Sequence, residues 1–331
     1  MNDMGIPTPI VRRALAAVLL VAAPVLLLLS PVVLIVTAVI DLLVAPRRRP
    51  TTRLAAMALH YLVYEWVGIV LAIALWLATG FGLAIDGPWS LRAHDRVQRW
   101  WANGIAGGAS RWLGLDLAIA GDELPTDGAI LIASQHSSFF DALLPTLLLA
   151  QRPSDRSRHV LKRELAWDPC LGIFGMRHPN HFVSRRGNAT ADLAAIEHLA
   201  ASAGDDTLVI FPEGTFHNEQ RAARAAARLA GSDPDRLARL DLHHLLPPRP
   251  GGITALLKGR PDSSIVFVAH VGLSSFGSLR AVAENVPFTT PVSIRAWRVS
   301  ADELPTDSAG QLRVIDEHWQ HMDDWLTQEI F

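Results

Sequence analysis

The chain has 331 residues, of which 50% are hydrophobic and only 19% are charged, and its mean hydropathy is +0.23. This composition excludes a disordered or collagen-like chain, and the length allows a catalytic domain of about 240 residues beside a membrane segment. Lysine and arginine total 30 against 32 acidic residues, so the formal charge of −2 gives no electrostatic reason to expect nucleic acid. The single cysteine excludes an internal disulfide and a thiolate metal cluster.

The first part of the chain carries two long apolar segments. Residues 14–45 are almost free of charge, and a second stretch of about 20 uncharged residues follows at 66–85. The pattern predicts a hairpin of two membrane helices over residues 1–90, with Pro24 and Pro31 interrupting the first helix, so both a kinked spanning hairpin and a re-entrant one stay open. A buried hairpin of a soluble protein is the alternative. Arginines flank the hairpin on every side, so charge counting leaves its orientation open.

Beyond the hairpin, strand-like runs alternate with helical patterns. The strand-like runs are 129–133, 159–161, 181–184, 207–211, 264–271 and 292–299. Thr190 is a candidate cap for a helix that Gly204 ends, residues 218–240 fit two short helices, and an apolar stripe over 312–325 fits a closing helix. The predicted fold is α/β, with a mixed, largely parallel sheet flanked by helices and an N-terminal membrane helix hairpin. The catalytic domain is predicted over residues 91–331.

The first chemical motif is QHSSFFD, in which His136 ends a strand-like run and Asp141 opens an apolar helix. Positions five residues apart on one helix point about 140° apart, so the chain must turn for the two side chains to touch. A turn capped by Ser137 or Ser138 would bring them together. Asp141 would then hold one ring nitrogen of His136, leaving the other to remove a proton from an alcohol. In the plainer alternative, Asp141 only caps a helix and His136 is merely exposed.

The second motif is IFPEGTF, which directly follows a buried strand-like run. Its central residues are Phe211, Pro212, Glu213, Gly214 and Thr215. The motif places a carboxylate and freely oriented backbone N–H groups at the carboxyl end of a strand, where such groups bind substrates. Five specific residues after a strand are a sharper signal than a single histidine or aspartate.

Together the two motifs resemble those of the glycerolipid acyltransferase superfamily, the group that contains the 1-acylglycerol-3-phosphate acyltransferases. The first motif of that superfamily is His-x4-Asp and its third is Phe-Pro-Glu-Gly-Thr. Two more elements follow in family order, since residues 162–165 (KREL) resemble Lys-x-Glu-Leu and residues 182–185 (FVSR) resemble Phe-Ile-x-Arg. The arginine-rich insert before residues 245–247, together with the C-terminal Trp325 and Phe331, is similar to the long-insert branch that includes lysophospholipid acyltransferases.

The resemblance implies a membrane-bound O-acyltransferase that moves a fatty acyl group from acyl-CoA or acyl-carrier protein to a lysophospholipid hydroxyl. The acceptor it implies most directly is 1-acylglycerol-3-phosphate, which would give phosphatidate. By this analogy His136 is the general base, Asp141 orients it, and Glu213 helps to place the acceptor. Arg185 would contact an acceptor phosphate, unless it is an ordinary surface arginine, and Lys162 would join the substrate-binding set with the whole Phe-Pro-Glu-Gly-Thr segment. The resemblance requires no metal and no cofactor beyond the donor thioester.

Two departures from the family pattern bear on the acceptor. Phe216 stands where many phosphatidate-forming members have arginine, so one expected phosphate contact is missing. A different lysophospholipid, a glycolipid or an aminolipid therefore stays open as the acceptor. Gln135 stands where asparagine is commoner, a change that keeps the amide chemistry.

A membrane hairpin suits substrates and products that stay in the bilayer. The interpretation is an integral protein of the cytoplasmic membrane whose catalytic domain lies on the cytosolic face, where a thioester donor is found. Four tryptophans after the hairpin, Trp89, Trp100, Trp101 and Trp112, suit the headgroup layer.

Two rival classes of function also fit parts of the sequence. A metal-dependent lipid hydrolase would use His136, Asp141, Glu213 and His217 as ligands. A membrane scaffold without catalysis is the other.

Overall fold

In the computed structural model the described residues are 7–125, 128–138, 140–149, 156–183 and 188–330, without the side chain of Ile330. They fall into two compact units. One is drawn from Met1–Asp116, Leu161–Arg185 and Leu279–Pro291, and the other from Leu117–Val160, Arg186–Ser278 and Val292–Phe331. The domain boundary between residues 90 and 91 stays a prediction.

The helices are, in chain order, α1 (Pro9–Leu28), α2 (Ser30–Val44), α3 (Pro50–Ala78), α4 (Pro88–Gly108), α5 (Leu144–Leu148), α6 (Pro169–Arg177), α7 (Ala189–Ala201), α8 (Glu219–Ser232), α9 (Pro234–Leu240), α10 (Pro250–Gly259), α11 (Leu279–Asn285) and α12 (Ser308–Ile330). The strands are β1 (Leu117–Gly121), β2 (Ile130–Ser134), β3 (Ser157–Lys162), β4 (His181–Val183), β5 (Thr207–Ile210), β6 (Ser264–Val271) and β7 (Val292–Val299).

The first unit begins with three apolar helices. The predicted first membrane helix over 14–45 is two helices, α1 and α2, which meet at Leu29. Pro31 explains the break, because it has no N–H to donate and its ring clashes with the preceding turn. Pro24, by contrast, is accommodated inside α1. The second predicted segment lies mostly in α3, which begins earlier, at Pro50.

Two of these helices, α1 and α3, are long and apolar enough to cross a bilayer by length and composition. Most of the large apolar side chains that are exposed in the described residues belong to α1, α2 and α3. The hairpin component of the predicted fold therefore fits the structure.

The second unit is built on a mixed sheet in which parallel pairs predominate. Within this unit the strand order is β1-β7-β6-β2-β5-β3. The pairs β1/β7, β6/β2, β2/β5 and β5/β3 are parallel, and β6/β7 is antiparallel. Every residue of β2 and β5 is buried, as expected for central parallel strands covered on both faces. The predicted α/β class with a largely parallel sheet is confirmed.

The structure differs from the sequence prediction at two local points. β1 had no predicted counterpart, because its sequence LAIAG is short, ends in glycine and is exposed over its last four residues. α7 is capped by Asn188 rather than Thr190, since the Asn188 side chain accepts the N–H groups of Thr190 and Ala191. The predicted strand residue Ser184 lies outside the described residues.

The predicted closing helix is α12, and it fixes a loop that reaches the candidate site. Ile315, Trp319 and Met322 are fully buried on its inner face. The Asp323 carboxylate, also buried, accepts the backbone N–H groups of residues 243, 244 and 245 at 2.7–2.8 Å. The Trp319 Nε1–H donates to the carbonyl oxygen of Leu246 at 2.9 Å. α12 thus holds residues 243–246 in place through both polar contacts and apolar packing.

We expect Asp323→Ala to lower the free energy of unfolding by about 1–3 kcal/mol, because it leaves three buried or part-buried N–H donors without their acceptor. The thermal unfolding midpoint of the full-length protein in detergent measures the effect. The neighbouring Asp324 is exposed, so Asp324→Ala is the matched control and should leave the midpoint unchanged. Equal midpoints for the two variants would show that Asp323 does not stabilise the loop.

Candidate active site

The first motif forms a tight turn at the carboxyl end of β2. Asp141 lies in a 3₁₀ turn, Phe140–Leu143, that leads into α5. Its Oδ2 accepts the backbone N–H groups of Ser137 and Ser138, and its Oδ1 accepts the Ser138 hydroxyl at 2.5 Å. The chain therefore folds back on itself within five residues, and the predicted serine-assisted turn is present.

The turn brings the two predicted catalytic side chains together. His136 Nδ1 lies 3.4 Å from Asp141 Oδ2. The distance is long for a hydrogen bond, as catalytic contacts often are before substrate binds. An imidazole that carries its proton on Nδ1, facing this carboxylate, leaves Nε2 unprotonated and able to accept a proton.

Asp141 is a completely buried carboxylate held in its charged form. Burial alone would raise its pKa, but His270, His136 and the Ser138 hydroxyl together outweigh that effect and hold the pKa of Asp141 well below its usual range. The site therefore keeps a fixed negative charge beside the imidazole of His136 over the physiological pH range. That charge stabilises the imidazolium which forms when His136 accepts a proton.

The His136 ring is enclosed by aromatic side chains of the second motif. The ring centroids of His136 and Phe211 are 4.8 Å apart, and those of His136 and Phe216 are 4.3 Å apart in an edge-to-face arrangement. His136 is 7% exposed. At the position where many phosphatidate-forming members have arginine, this chain therefore packs an apolar ring against the imidazole.

Glu213 is buried, and both of its carboxylate oxygens accept backbone N–H groups. Oε1 accepts the N–H of His136 at 2.7 Å, and Oε2 accepts the N–H of Leu246 at 3.1 Å. These contacts join the second motif to the histidine turn and to the loop that α12 holds. The predicted role of Glu213 in placing the acceptor stays a prediction, and the geometry adds a structural role.

The rest of the second motif forms the turn that follows β5. Gly214 has φ +65° and its N–H donates to the carbonyl oxygen of Phe211 at 3.0 Å. This left-handed conformation favours glycine. The Pro212 carbonyl oxygen accepts the N–H of Arg249 at 3.0 Å, and Thr215 is half-buried. Phe211, Pro212, Gly214 and Thr215 thus lie beside His136 as one short turn, and their substrate-binding roles stay predictions.

The sequence analysis missed His270, the last buried residue of β6. Its Nε2 lies 3.2 Å from Asp141 Oδ1, so the carboxylate faces an imidazole at each oxygen. The Gln135 side chain accepts the backbone N–H of His270 at 2.9 Å. A histidine that closes an apolar strand at the same edge of the sheet as His136 was the available signal.

Three predicted features are not placed in this cluster. Lys162 ends β3 and is half-buried in the first unit, and Arg185 lies outside the described residues, as does Phe331. Within the cluster, the N–H of His136 donates to Glu213, and those of Ser137 and Ser138 donate to Asp141.

The metal-site alternative gains no support from the described residues. No group of three or more histidine, cysteine, aspartate or glutamate side chains in that part of the chain is arranged to hold a metal ion. Glu213, one of the four proposed ligands, has both oxygens engaged by backbone N–H groups.

Residues 117–270, just under half of the chain, match the family model described as Acyltransferase. This span contains His136, Asp141, Glu213 and both further family elements, so the motif-based prediction of the glycerolipid acyltransferase superfamily is confirmed over this part of the chain. The assignment to the long-insert branch stays a prediction.

A similar solved structure is the crystal structure of the 1-acyl-sn-glycerophosphate acyltransferase PlsC from Thermotoga maritima. The two chains are 14% identical, the match covers 80% of this chain and 97% of that chain, and the TM-score is 0.47. No curated protein matches the sequence.

The depressed pKa of Asp141 predicts a specific pH dependence of stability. A carboxyl with a lowered native pKa contributes stability that is present above the unfolded-state pKa of about 3.9 and is lost as the pH falls through the native value. The wild type should therefore be more stable than Asp141→Asn at pH 7, and the difference should shrink below about pH 4. Thermal midpoints from pH 7 to pH 3 measure it, with the exposed Asp205→Asn as control. A difference that is constant over this range would contradict a native pKa below the usual one.

Proposed function

We propose that this acyltransferase is an integral membrane O-acyltransferase that uses acyl-CoA or acyl-carrier protein as donor and a lysophospholipid as acceptor. The acceptor proposed first is 1-acylglycerol-3-phosphate, with phosphatidate as product. The observation that carries the proposal is the buried pair of His136 and Asp141, at 3.4 Å, beside the Phe-Pro-Glu-Gly-Thr turn. No serine or cysteine nucleophile is required, because the acceptor itself supplies a hydroxyl.

The geometry supports a direct transfer. His136 Nε2 takes the proton of the acceptor hydroxyl, and the resulting oxygen nucleophile attacks the thioester carbonyl carbon to form a tetrahedral intermediate. The carbon–sulfur bond then breaks, the thiolate leaves, and His136 returns the proton to the sulfur. The products are an ester and a free thiol, and His136 ends in its initial neutral form. Asp141 stabilises the imidazolium throughout the cycle.

The aromatic enclosure of His136 favours the neutral base that this mechanism needs. Phe211 and Phe216 shield the ring from water, and burial disfavours the charged form of a histidine. The fixed charge of Asp141 opposes that effect, so the proton is accepted when the acceptor hydroxyl arrives. Burial and the Asp141 carboxylate thus have opposite effects on His136, which allows the ring to alternate between its neutral and its protonated form.

A different lipid acceptor is the second candidate, and Phe216 is the observation that favours it. At this position the chain places an apolar ring 4.3 Å from the His136 ring, where an arginine would offer a cation to a phosphate. A glycolipid, an aminolipid or another lysophospholipid would then be acylated by the same chemistry. Arg185 is the proposed phosphate contact in the first alternative, and Lys162 stays in the proposed substrate-binding set.

Membrane insertion is supported by the apolar surface of the first unit. Leu28 and Val21 of α1 are 80% and 72% exposed, and Leu43 of α2 is 79% exposed. Such side chains are stable in hydrocarbon rather than in water. We place the protein in the cytoplasmic membrane with its catalytic domain on the cytosolic face, because the thioester donor is cytosolic.

The catalytic assignment predicts that His136→Ala and Asp141→Ala each lower kcat by at least about a hundredfold, as expected for loss of a general base or of the group that orients it. Transfer of a radiolabelled acyl group from acyl-CoA by the purified full-length protein measures the effect. His198 is exposed on α7, so His198→Ala is the control and should keep wild-type turnover. Near-normal turnover in either site variant would contradict the assigned role.

The acceptor is tested by a panel assayed with the same donor. We expect 1-acylglycerol-3-phosphate to be the best acceptor when compared with lysophosphatidylcholine, lysophosphatidylethanolamine, a lyso-aminolipid and a monoacylated glycolipid. Higher kcat/KM for any other acceptor of the panel would overturn the first alternative and support the second.

The membrane proposal predicts that the full chain stays in the membrane pellet after extraction with alkaline carbonate. Hydrophobic burial of two apolar helices persists at high pH, whereas electrostatic attachment to lipid headgroups does not. The pellet and supernatant are compared by immunoblot, with a peripheral membrane protein as control. Release of the chain together with that control would show surface attachment instead.

A further inference from the structure

Two imidazoles lie close to the carboxylate of Asp141. One of them, His270, lies outside the two motifs. His270 Nε2 lies 3.2 Å from Oδ1, while His136 Nδ1 lies 3.4 Å from Oδ2. His270 and Asp141 are 2% and 0% exposed. Two imidazoles thus face one charged group from neighbouring strand ends, in a space closed to water.

The backbone of His270 is fixed at the level of His136. β6 pairs with β2 in parallel, with Ser134 opposite Val268, so His136 and His270, each two residues further along, lie at the same height. The N–H of Gln135 donates to Val268, and its side-chain oxygen accepts the N–H of His270 at 2.9 Å. Gln135, the residue that replaces the commoner asparagine, therefore anchors the strand end that carries His270.

The ring of His270 faces Asp141 through its Nε2 atom. That nitrogen lies 3.2 Å from Asp141 Oδ1, although neither ring nitrogen forms a hydrogen bond of regular geometry among the residues that the structure describes. A proton on Nε2 lies on the side of the ring that faces the carboxylate, where it can be donated to Oδ1.

We propose that His270 is a positioning residue of the acyl-transfer site: its Nε2–H holds one oxygen of Asp141 and thereby fixes the other oxygen against His136. The inference rests on the proposed function, because the imidazole that it supports is the proposed general base. The Ser138 hydroxyl shares Oδ1, and the two backbone N–H groups of the turn hold Oδ2. Without His270, the Oδ1 side of the carboxylate loses its contact with β6.

The expected consequences concern both turnover and pH. A hydrogen bond to a charged group is strong enough that its loss should lower kcat about tenfold to a hundredfold. An Asp141 anion that has lost one donor attracts the proton of His136 more strongly, so the acidic limb of the kcat profile should move to higher pH by about one unit. KM for donor and acceptor should stay within about twofold, because His270 is only 2% exposed and acts through Asp141.

The other titratable groups near His136, Asp141 and His270 determine what besides His270 could shift the pH profile of kcat. His136, Asp141 and Glu213 surround the turn, and Glu213 contacts His136 through a backbone N–H. The N–H of His217 donates to the carbonyl oxygen of His136, so that contact involves backbone atoms only. From α12, His318 stacks on Phe267 of β6 rather than on His270.

The test compares three substitutions at His270 in the full-length protein, assayed with acyl-CoA and 1-acylglycerol-3-phosphate, or with the best acceptor of the panel. His270→Phe keeps a ring but removes the donor. His270→Gln places an amide N–H near the Nε2 position, whereas His270→Asn places it near Nδ1. His318→Phe, which keeps the stacking on Phe267, is the matched control.

We expect His270→Phe and His270→Asn to lower kcat and to shift the acidic limb of its pH profile. His270→Gln should keep most of the wild-type kcat and a pH profile close to that of the wild type. The control should show wild-type kinetics. A folded His270→Phe variant with wild-type kcat and pH profile would overturn the inference. If that variant does not fold, equal kcat in His270→Gln and His270→Asn would overturn it. If the wild type transfers no acyl group to any acceptor of the panel, the proposed function itself fails, which is a distinct result.

Discussion

One buried charge organises the candidate active site. The carboxylate of Asp141 has no access to solvent, and a charge in that position is tolerated only where donors surround it. The structure supplies two backbone N–H groups and a serine hydroxyl from the same turn, with an imidazole at each oxygen. The donors that satisfy this charge therefore close the turn between β2 and α5, and the same contacts orient the His136 side chain.

A second buried carboxylate connects the site to the rest of its unit. Glu213 accepts the N–H of His136 and that of Leu246, whose carbonyl oxygen accepts the indole N–H of Trp319. Asp323 holds the three preceding N–H groups of the same loop. The closing helix α12 is thus linked to the catalytic turn by hydrogen bonds to buried groups, and a residue of the family motif has a structural function in this chain.

The parts of the fold that follow from local pattern were predictable from the sequence. The buried strands β2, β5, β6 and β7, the paired helices α8 and α9 and the closing helix α12 all carry clear apolar periodicity. The exposed edge strand β1 and the Asn188 cap were missed, because a short glycine-ended run is ambiguous and because Asn188 and Thr190, two residues apart, are both capping types. Interruptions of the first membrane helix were expected at both Pro24 and Pro31, and only Pro31 interrupts it.

The candidate site was predictable only where its contacts join residues that are close together in sequence. The contact between His136 and Asp141 depends on six consecutive residues, so the motif contains it. The contact between Asp141 and His270 joins residues far apart in sequence, and it depends on the pairing of β2 with β6, which no local pattern specifies. For the same reason the sequence suggested a substrate contact for Glu213 and gave no sign of its bond to Leu246.

The central claim is that Asp141 holds the Nδ1 proton of His136, so that Nε2 is unprotonated and can accept a proton. Nitrogen-15 NMR of histidine-labelled protein measures this directly, with His136→Gln used to assign the signal. We expect the neutral ring of His136 to carry its proton on Nδ1, with Nε2 unprotonated. A neutral ring protonated on Nε2 would contradict the account, because that nitrogen could not take a proton from a lipid hydroxyl.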